Sequence, residues 1–113
     1  MRVTDFTLDA SDISGNAEGI GYLLGQRPYY EYVSGKKTEN QLGITYNGVF
    51  PDNLFEKAAV KVANTQVVIT DEQILKSNGK MKVRFKNLTG KFYRTNSGEY
   101  VLSCRADGLE VIS

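Results

Sequence analysis

The sequence predicts a mainly β protein, a small closed or partly open barrel with one short helix, and three observations carry that expectation. Several stretches alternate apolar with polar residues or are rich in β-branched and aromatic side chains, the pattern of strands buried on one face. Turn chemistry built on Gly, Asn, Asp and Pro separates these stretches at short intervals. Only one segment, beginning Thr70-Asp71-Glu72-Gln73, carries the start signal of a helix, a Thr followed three residues later by Gln. A chain of 113 residues suits a single domain with its own core, without disulfides or metal.

Residues 1–26 are expected to form an acidic, glycine-containing extension ahead of a barrel domain at 27–113. The extension holds Asp5, Asp9, Asp12 and Glu18 against Arg2 alone. Residues 2–8 partly alternate and suit a short strand, Asp9 to Gly15 reads as a turn, and Ala17 to Leu24 as a weak helix or loop. Gly19, Gly21 and Gly25 have the spacing GxGxxxG, and no Lys-Ser or Lys-Thr follows, so they read as turns and not as a phosphate-binding loop.

Tyr29 to Val33 has high β propensity, Ser34-Gly35-Lys36-Lys37-Thr38 supplies a turn with two cations, and Leu42 to Phe50 returns as the partner strand. In that strand Ile44, Tyr46, Gly48 and Phe50 share one face, while Thr45, Asn47 and Val49 share the other. Pro51-Asp52-Asn53 ends it. Lys57 to Val62 is the third strand, with Lys57, Ala59 and Lys61 on its polar face. Val67-Val68-Ile69 leads to the helix, which runs to about Lys76 and ends at Ser77-Asn78-Gly79.

The fourth strand concentrates the charge. Lys76 to Arg94 holds seven basic residues in nineteen and no acidic one, in a protein whose formal net charge is only +1. Met81, Val83 and Phe85 alternate there with Lys80, Lys82, Arg84 and Lys86, so one face is apolar and the other cationic. Leu88-Thr89-Gly90 interrupts the strand before Lys91 to Arg94. Thr95-Asn96-Ser97-Gly98 is a hairpin turn into Glu99 to Ala106, and Asp107-Gly108 a last turn or bulge before Leu109 to Ile112.

Histidine is absent and Cys104 is the only cysteine, which removes the commonest general base, any internal disulfide and any multi-cysteine metal site. An enzymatic function, a cofactor and a metal are therefore not expected. No apolar run approaches the roughly 18 residues of a membrane span, so no membrane partner is expected. The opening residues, MRVTDFTLDASD, lack the apolar core of a secretory signal, which points to a cytoplasmic location.

Strand, loop, strand, strand, short helix, strand, hairpin, strand suits a small barrel, and spacing alone does not separate the members of that set; the leading one is the OB-fold, a five-stranded barrel with a helix between strands 3 and 4 that binds oligonucleotides through strands 2 and 3 and two flanking loops. Short patches point the same way. Val33-Ser34-Gly35-Lys36-Lys37, Gly43-Ile44-Thr45-Tyr46, Val60-Lys61-Val62, Lys82-Val83-Arg84-Phe85 and Asp107 to Ile112 resemble the layout of the small single-stranded-DNA-binding proteins of filamentous phages. They are also similar to short OB-type proteins carried by plasmids, phages and conjugative elements of Gram-positive bacteria. The resemblance covers about residues 29–113. It implies a barrel whose protomers dimerise and whose aromatic and basic residues hold single strands, DNA in preference to RNA, with little sequence preference. By position that role falls on Lys36, Lys37, Tyr46, Lys61, Arg84, Phe92, Tyr93 and Arg94.

Read from the residues themselves, several of these serve two roles equally well. Tyr46 suits core or rim; Phe92, Tyr93 and Tyr29 stand beside cations near loops; Phe50, Phe55 and Phe85 share strand phases with aliphatics and belong to the interior. The basic strand face is either a phosphate-binding surface or a solvated face that discourages edge pairing. If it lies outside the binding groove, Lys91 to Arg94 is the part that remains. Two functions follow: a single-stranded-DNA-binding protein serving replication or transfer of a phage, plasmid or conjugative element, or a non-enzymatic interaction or structural subunit of such an element's assembly, with residues 1–26 as an arm for a protein partner. The near-neutral charge favours the second and the clustering favours the first. An acidic segment covering the basic face until a strand displaces it would reconcile them.

Overall fold

A computed structural model describes residues 7–64 and 69–112. The elements are β1 (Thr7–Leu8), α1 (Ala10–Ser14), β2 (Ile20–Val33), β3 (Lys36–Phe50), a 3-10 turn at Pro51–Asn53, β4 (Glu56–Val62), α2 (Asp71–Ser77), β5 (Met81–Lys86), β6 (Thr89–Arg94), β7 (Tyr100–Ala106) and β8 (Gly108–Val111). All eight strands belong to one sheet in the order β1-β6-β7-β4-β3-β2-β5-β8. The pairings are antiparallel except β4 with β7, which is parallel.

The mainly β class is observed; the five-stranded closed barrel is not. The hydrogen-bonded order is open, with β1 and β8 at its edges. Three features raise the strand number. The expected fourth strand divides at Asn87-Leu88 into β5 and β6, which pair with different neighbours. Residues 7–8 add one edge strand and residues 108–111 the other. β2, without adding to the number, begins at Ile20, well before the expected Tyr29. The boundary expected between residues 26 and 27 therefore falls inside a continuous strand.

The sheet is strongly curled. β5 and β6 are separated in the sheet order by five inter-strand steps, about 24 Å if the sheet were flat at ~4.8 Å per step. Two residues join them, a link that spans at most about 11 Å. The strands between must bend round to meet it. Asn87, at φ 52° in the left-handed region, makes the corner, and its side-chain amide donates to Asp107 Oδ2 at 2.7 Å, tying the link to the β7–β8 junction.

Curling places one sheet face inside. Val83 and Phe85 of β5 are buried there beside Leu23, Ile44, Tyr46, Phe50, Val60 and Cys104. The Phe85 ring meets Phe50 edge-on at 6.0 Å between centroids and Tyr46 at 6.4 Å. Ile13 of α1, together with Ile69 and Ile74 at α2, completes the core. The α2 capping box is present as expected: Thr70 Oγ1 accepts from the Gln73 amide at 3.1 Å, Gln73 Oε1 from the Thr70 amide at 2.9 Å, and Asn78 ends the helix in the left-handed region. Gln26 of β2 docks this end by donating to the Ile69 carbonyl at 2.6 Å.

The first 26 residues depart most from expectation. Asp9 to Gly15 is a helical turn with its own capping box, in which Asp9 and Asp12 exchange backbone-to-side-chain bonds of 3.0 Å. Ala17 to Leu24, expected as a weak helix or loop, is turn and loop through Gly19 and strand β2 from Ile20 onward. Gly21 is there for packing, since a Cβ would come within 2.6 Å of the Phe50 ring. Residues 2–6 of the expected first strand and Val67-Val68 lie outside the described residues. Phe55, expected in the core, is 69% exposed, because Leu54 and Phe55 both take left-handed backbone at φ 55° and 59° and reverse the chain beyond the sheet. Among the described residues no helix is long and apolar enough to cross a membrane.

Two outcomes test this architecture. Phe85→Ala should lower unfolding free energy by about 3–5 kcal/mol, whereas Lys82→Gln on the opposite face should change it by less than about 0.5 kcal/mol, both read by urea denaturation. Deleting residues 1–26 removes Ile13, Leu23 and half of β2 and should abolish cooperative unfolding; a normal transition would mean that the segment is dispensable.

Candidate nucleic-acid interface

The outward face of the sheet carries a row of cations. Pairing register places Arg27 of β2 opposite Thr45 of β3, Thr45 opposite Lys61 of β4, Lys61 opposite Arg105 of β7, and Arg105 opposite Thr89 of β6. Directly paired residues project to the same side of a sheet. Arg27, Lys61 and Arg105 therefore lie in one line across four strands. Three steps of about 4.8 Å make that line roughly 14 Å long. Thr45 is buried although it faces outward, as expected beneath the long stems of Arg27 and Lys61.

Lys91 lies opposite Ser103, and Tyr93 opposite Val101, on the same face; Tyr93 is 50% exposed. Lys57 stands outward on β4 opposite Val49. Among the described residues none of Arg27, Lys57, Lys61, Lys91 or Arg105 has a carboxylate within ion-pair distance. Like charges set directly across a ladder, as Lys61 and Arg105 are, cost roughly 0.2–1 kcal/mol.

Aromatic rings accompany the row. Tyr29 lies opposite Gly43, and its ring rests where a Gly43 side chain would be: a Cβ there would fall 2.8 Å from the tyrosine Cε1 and Oη. Lys61 Nζ is 5.4 Å from the Tyr29 centroid. Tyr29, Lys61, Thr89 and Arg105 line a depression of about 190 Å3 between β4, β7 and the β5–β6 link. Beyond Gly43 the β2–β3 hairpin runs on with no third strand beside it among the described residues, since β4 pairs with β3 only from Ile44 onward. Near its tip Lys37 Nζ sits 4.3 Å over the Tyr30 ring.

The residues expected to bind are distributed as follows. Lys36 and Lys37 are exposed at the tip of the hairpin arm, and Lys61 is in the cation row. Tyr93 faces outward with it. Tyr46 is a correction: at 2% exposure it is core, and burial raises its phenol above the ordinary range. Arg84 lies apart from the row. It faces outward on β5, but its guanidinium is already met by Glu18 at 3.2 Å and Glu110 at 3.8 Å. Phe92 pairs with Leu102 on the inward phase and is half-buried, and Arg94 folds back over Gly98 in the β6–β7 turn. Arg27 and Arg105 were not among the expected residues. The alternation of Leu102, Cys104 and Ala106 with Ser103 and Arg105 signals that Arg105 faces outward; only the parallel β4–β7 pairing places it beside Lys61.

No family model, no curated protein and no solved structure matches this chain.

Cys104 is in the core, and burial raises its thiol from 9.0 to about 11. The folded protein thus keeps a proton that the unfolded chain loses above pH 9. Stability from this source is complete below pH 9 and lost as pH rises through about 11. Urea denaturation between pH 8 and 10.5 should show the decline, shallower in Cys104→Ala, and native Cys104 should resist alkylation at pH 8; rapid native alkylation would contradict its burial.

Proposed function

We propose that this protein binds single-stranded DNA with little sequence preference, as a part of the replication or transfer of a phage, plasmid or conjugative element. The observation that carries the reading is the row Arg27–Thr45–Lys61–Arg105–Thr89. Two of its cations face each other directly without a counter-charge among the described residues, an arrangement that a polyanion relieves. Tyr29 beside the row and Tyr93 farther along the same face offer rings for bases to stack on, and such stacking is tolerant of sequence.

The scaffold supports the same reading. With β5 and β6 taken as the two halves of one bent strand, the curled sheet has the neighbours of an OB-like arrangement, including a parallel pair between its third and last long strands, β4 and β7. The row then crosses the strands that such folds use for binding, and the hairpin with Lys36 and Lys37 flanks it. The β5 cations belong elsewhere, with Arg84 held by Glu18 and Glu110.

A second reading, a non-enzymatic interaction or structural subunit of a mobile-element or phage assembly, is favoured by one observation. Leu54 is 92% exposed beside the exposed Phe55 at the β3–β4 turn, and both residues hold strained backbone. A second copy of the chain or a different protein would cover such a tip.

Fluorescence anisotropy with labelled oligo-dT separates the two. Wild-type protein should bind at low salt and weaken as salt rises. In Lys61→Gln/Arg105→Gln the affinity should fall, and the slope of log K against log salt should decrease by about 1.4, since each lost phosphate contact on a single strand removes about 0.7. Lys82→Gln/Lys86→Gln should bind as wild type. Absence of binding at low salt and tens of micromolar protein leaves the second reading.

A further inference from the structure

Two features of the outer surface lie apart from the cation row, and they complement each other. One is the knob at the β3–β4 turn, where Leu54 and Phe55 project into solvent on left-handed backbone at φ 55° and 59°. Were chain reversal the only requirement, Asn and Gly would meet it without strain; two large apolar side chains stand there instead. Asp52 and Glu56 flank them, both exposed. Asp52 accepts from the Asn16 amide at 3.1 Å, and Glu56 has no ion-pair partner among the described residues.

The other is a patch on the outward face of the neighbouring strands. Lys57 of β4 lies opposite Val49 of β3, Val49 opposite Tyr22 of β2, and Tyr22 opposite Lys82 of β5. Directly paired residues share a face, so this row has an apolar middle and a cation at each end. Leu24, 42% exposed where β2 slips against β3, widens the middle. Its Cδ2 lies 3.7 Å from where a Gly79 Cβ would stand, which brings it beside the turn carrying Lys80. Among the described residues Lys57, Lys80 and Lys82 have no carboxylate within ion-pair distance.

The knob is thus apolar with acidic flanks, and the patch apolar with basic ones. Apolar contact supplies affinity, and opposite charge selects the partner. The knob does not lie on its own patch, since Leu54 is 92% exposed. Both features sit at the same end of β3, because Val49 is in its last turn of chain before Pro51–Asn53 and Leu54 follows directly. A copy rotated by half a turn can therefore set its knob on this patch while this knob meets its patch, a contact that closes as a twofold dimer.

We propose that a second copy of the chain docks here, Leu54 and Phe55 of each copy resting on Tyr22, Leu24 and Val49 of the other. The inference rests on the exposed tip that favours the interaction reading, and it names the tip's partner. The cation row lies outside the contact, with Thr45 about 13 Å from Val49 along β3, so the dimer carries two such rows.

Sedimentation velocity without nucleic acid, from low to hundreds of micromolar protein, should show wild type passing from monomer to dimer with no larger species. Glu56→Lys, and separately Lys80→Glu/Lys82→Glu, should weaken association by about ten-fold or more, because knob and patch then carry like charge. Mixed in equal amounts, these two variants should regain the wild-type dimer, since each contact again joins opposite charges. Leu54→Asn/Phe55→Gly should stay monomeric, with a thermal midpoint no lower than wild type's at a concentration where both are monomers. A wild type that is monomeric throughout or grows beyond dimers, a variant that associates as wild type, or a mixture that stays monomeric overturns the twofold contact. Oligo-dT anisotropy is a separate readout: it decides between the two functions and leaves the dimer standing or fallen on the sedimentation alone.

Discussion

The two-residue link between β5 and β6 is the constraint on which the rest of the molecule depends. Because Asn87-Leu88 connects strands that are distant in sheet order, the strands between them must wrap. Wrapping makes an inside and an outside from what would otherwise be two equivalent faces. Inside, Val83 and Phe85 meet Phe50, Tyr46 and Leu23; outside, the alternate residues of the same strands are held in fixed rows. Leu88 is itself buried and Asn87 is bonded to Asp107, so the corner is anchored on both sides. Glycines elsewhere serve this geometry. Gly21 lets the Phe50 ring approach β2, and Gly43 gives the Tyr29 ring a flat place on the outer surface.

Local chemistry was legible wherever one residue type decides one event. The Thr70–Gln73 capping box, the Asn78 helix end, and the alternation of Met81, Val83 and Phe85 with cations all describe events settled within a few residues. The N-terminal segment was not legible for a physical reason. Glycine at 21 and 25 lowers strand propensity, yet position 21 of β2 is glycine because the Phe50 ring occupies the space a side chain would need, whereas a Cβ at Gly25 would meet only ordinary contact with Asn47. The requirement at Gly21 comes from a residue more than twenty positions away. Phe55 misled in the opposite sense, because its strand phase suggested burial while a pair of left-handed residues turned it out to solvent.

The candidate face was legible in its ingredients and not in its assembly. Lys61, Tyr93 and the neighbouring Lys91 show their outward phase in the sequence, and Arg105 follows the same rule. What joins Lys61 to Arg105 is a parallel pairing between segments more than forty residues apart, which no local pattern encodes. The densest run of charge drew attention to β5. Density along a chain measures composition, whereas a binding surface depends on which charges remain unneutralised after folding.

That distinction separates the two basic regions of this protein. On β5, Arg84 has Glu18 and Glu110 within 4 Å, one from the segment before β2 and one from the edge strand β8. The idea of an acidic segment lying on the basic strand is thus realised at one residue. Glu18, however, belongs to a segment integral to the fold, with Ile13 in the core on one side of it and the start of β2 on the other. On β4 and β7 the opposite arrangement holds: Lys61 and Arg105 are set together without an acidic side chain among the described residues to relieve them. A carboxylate at the exposed Thr89 would lie directly opposite Arg105 and would offset the repulsion. The chain carries a neutral hydroxyl there instead, so the row keeps its positive charge, and that uncompensated charge is the feature on which the proposed binding role rests.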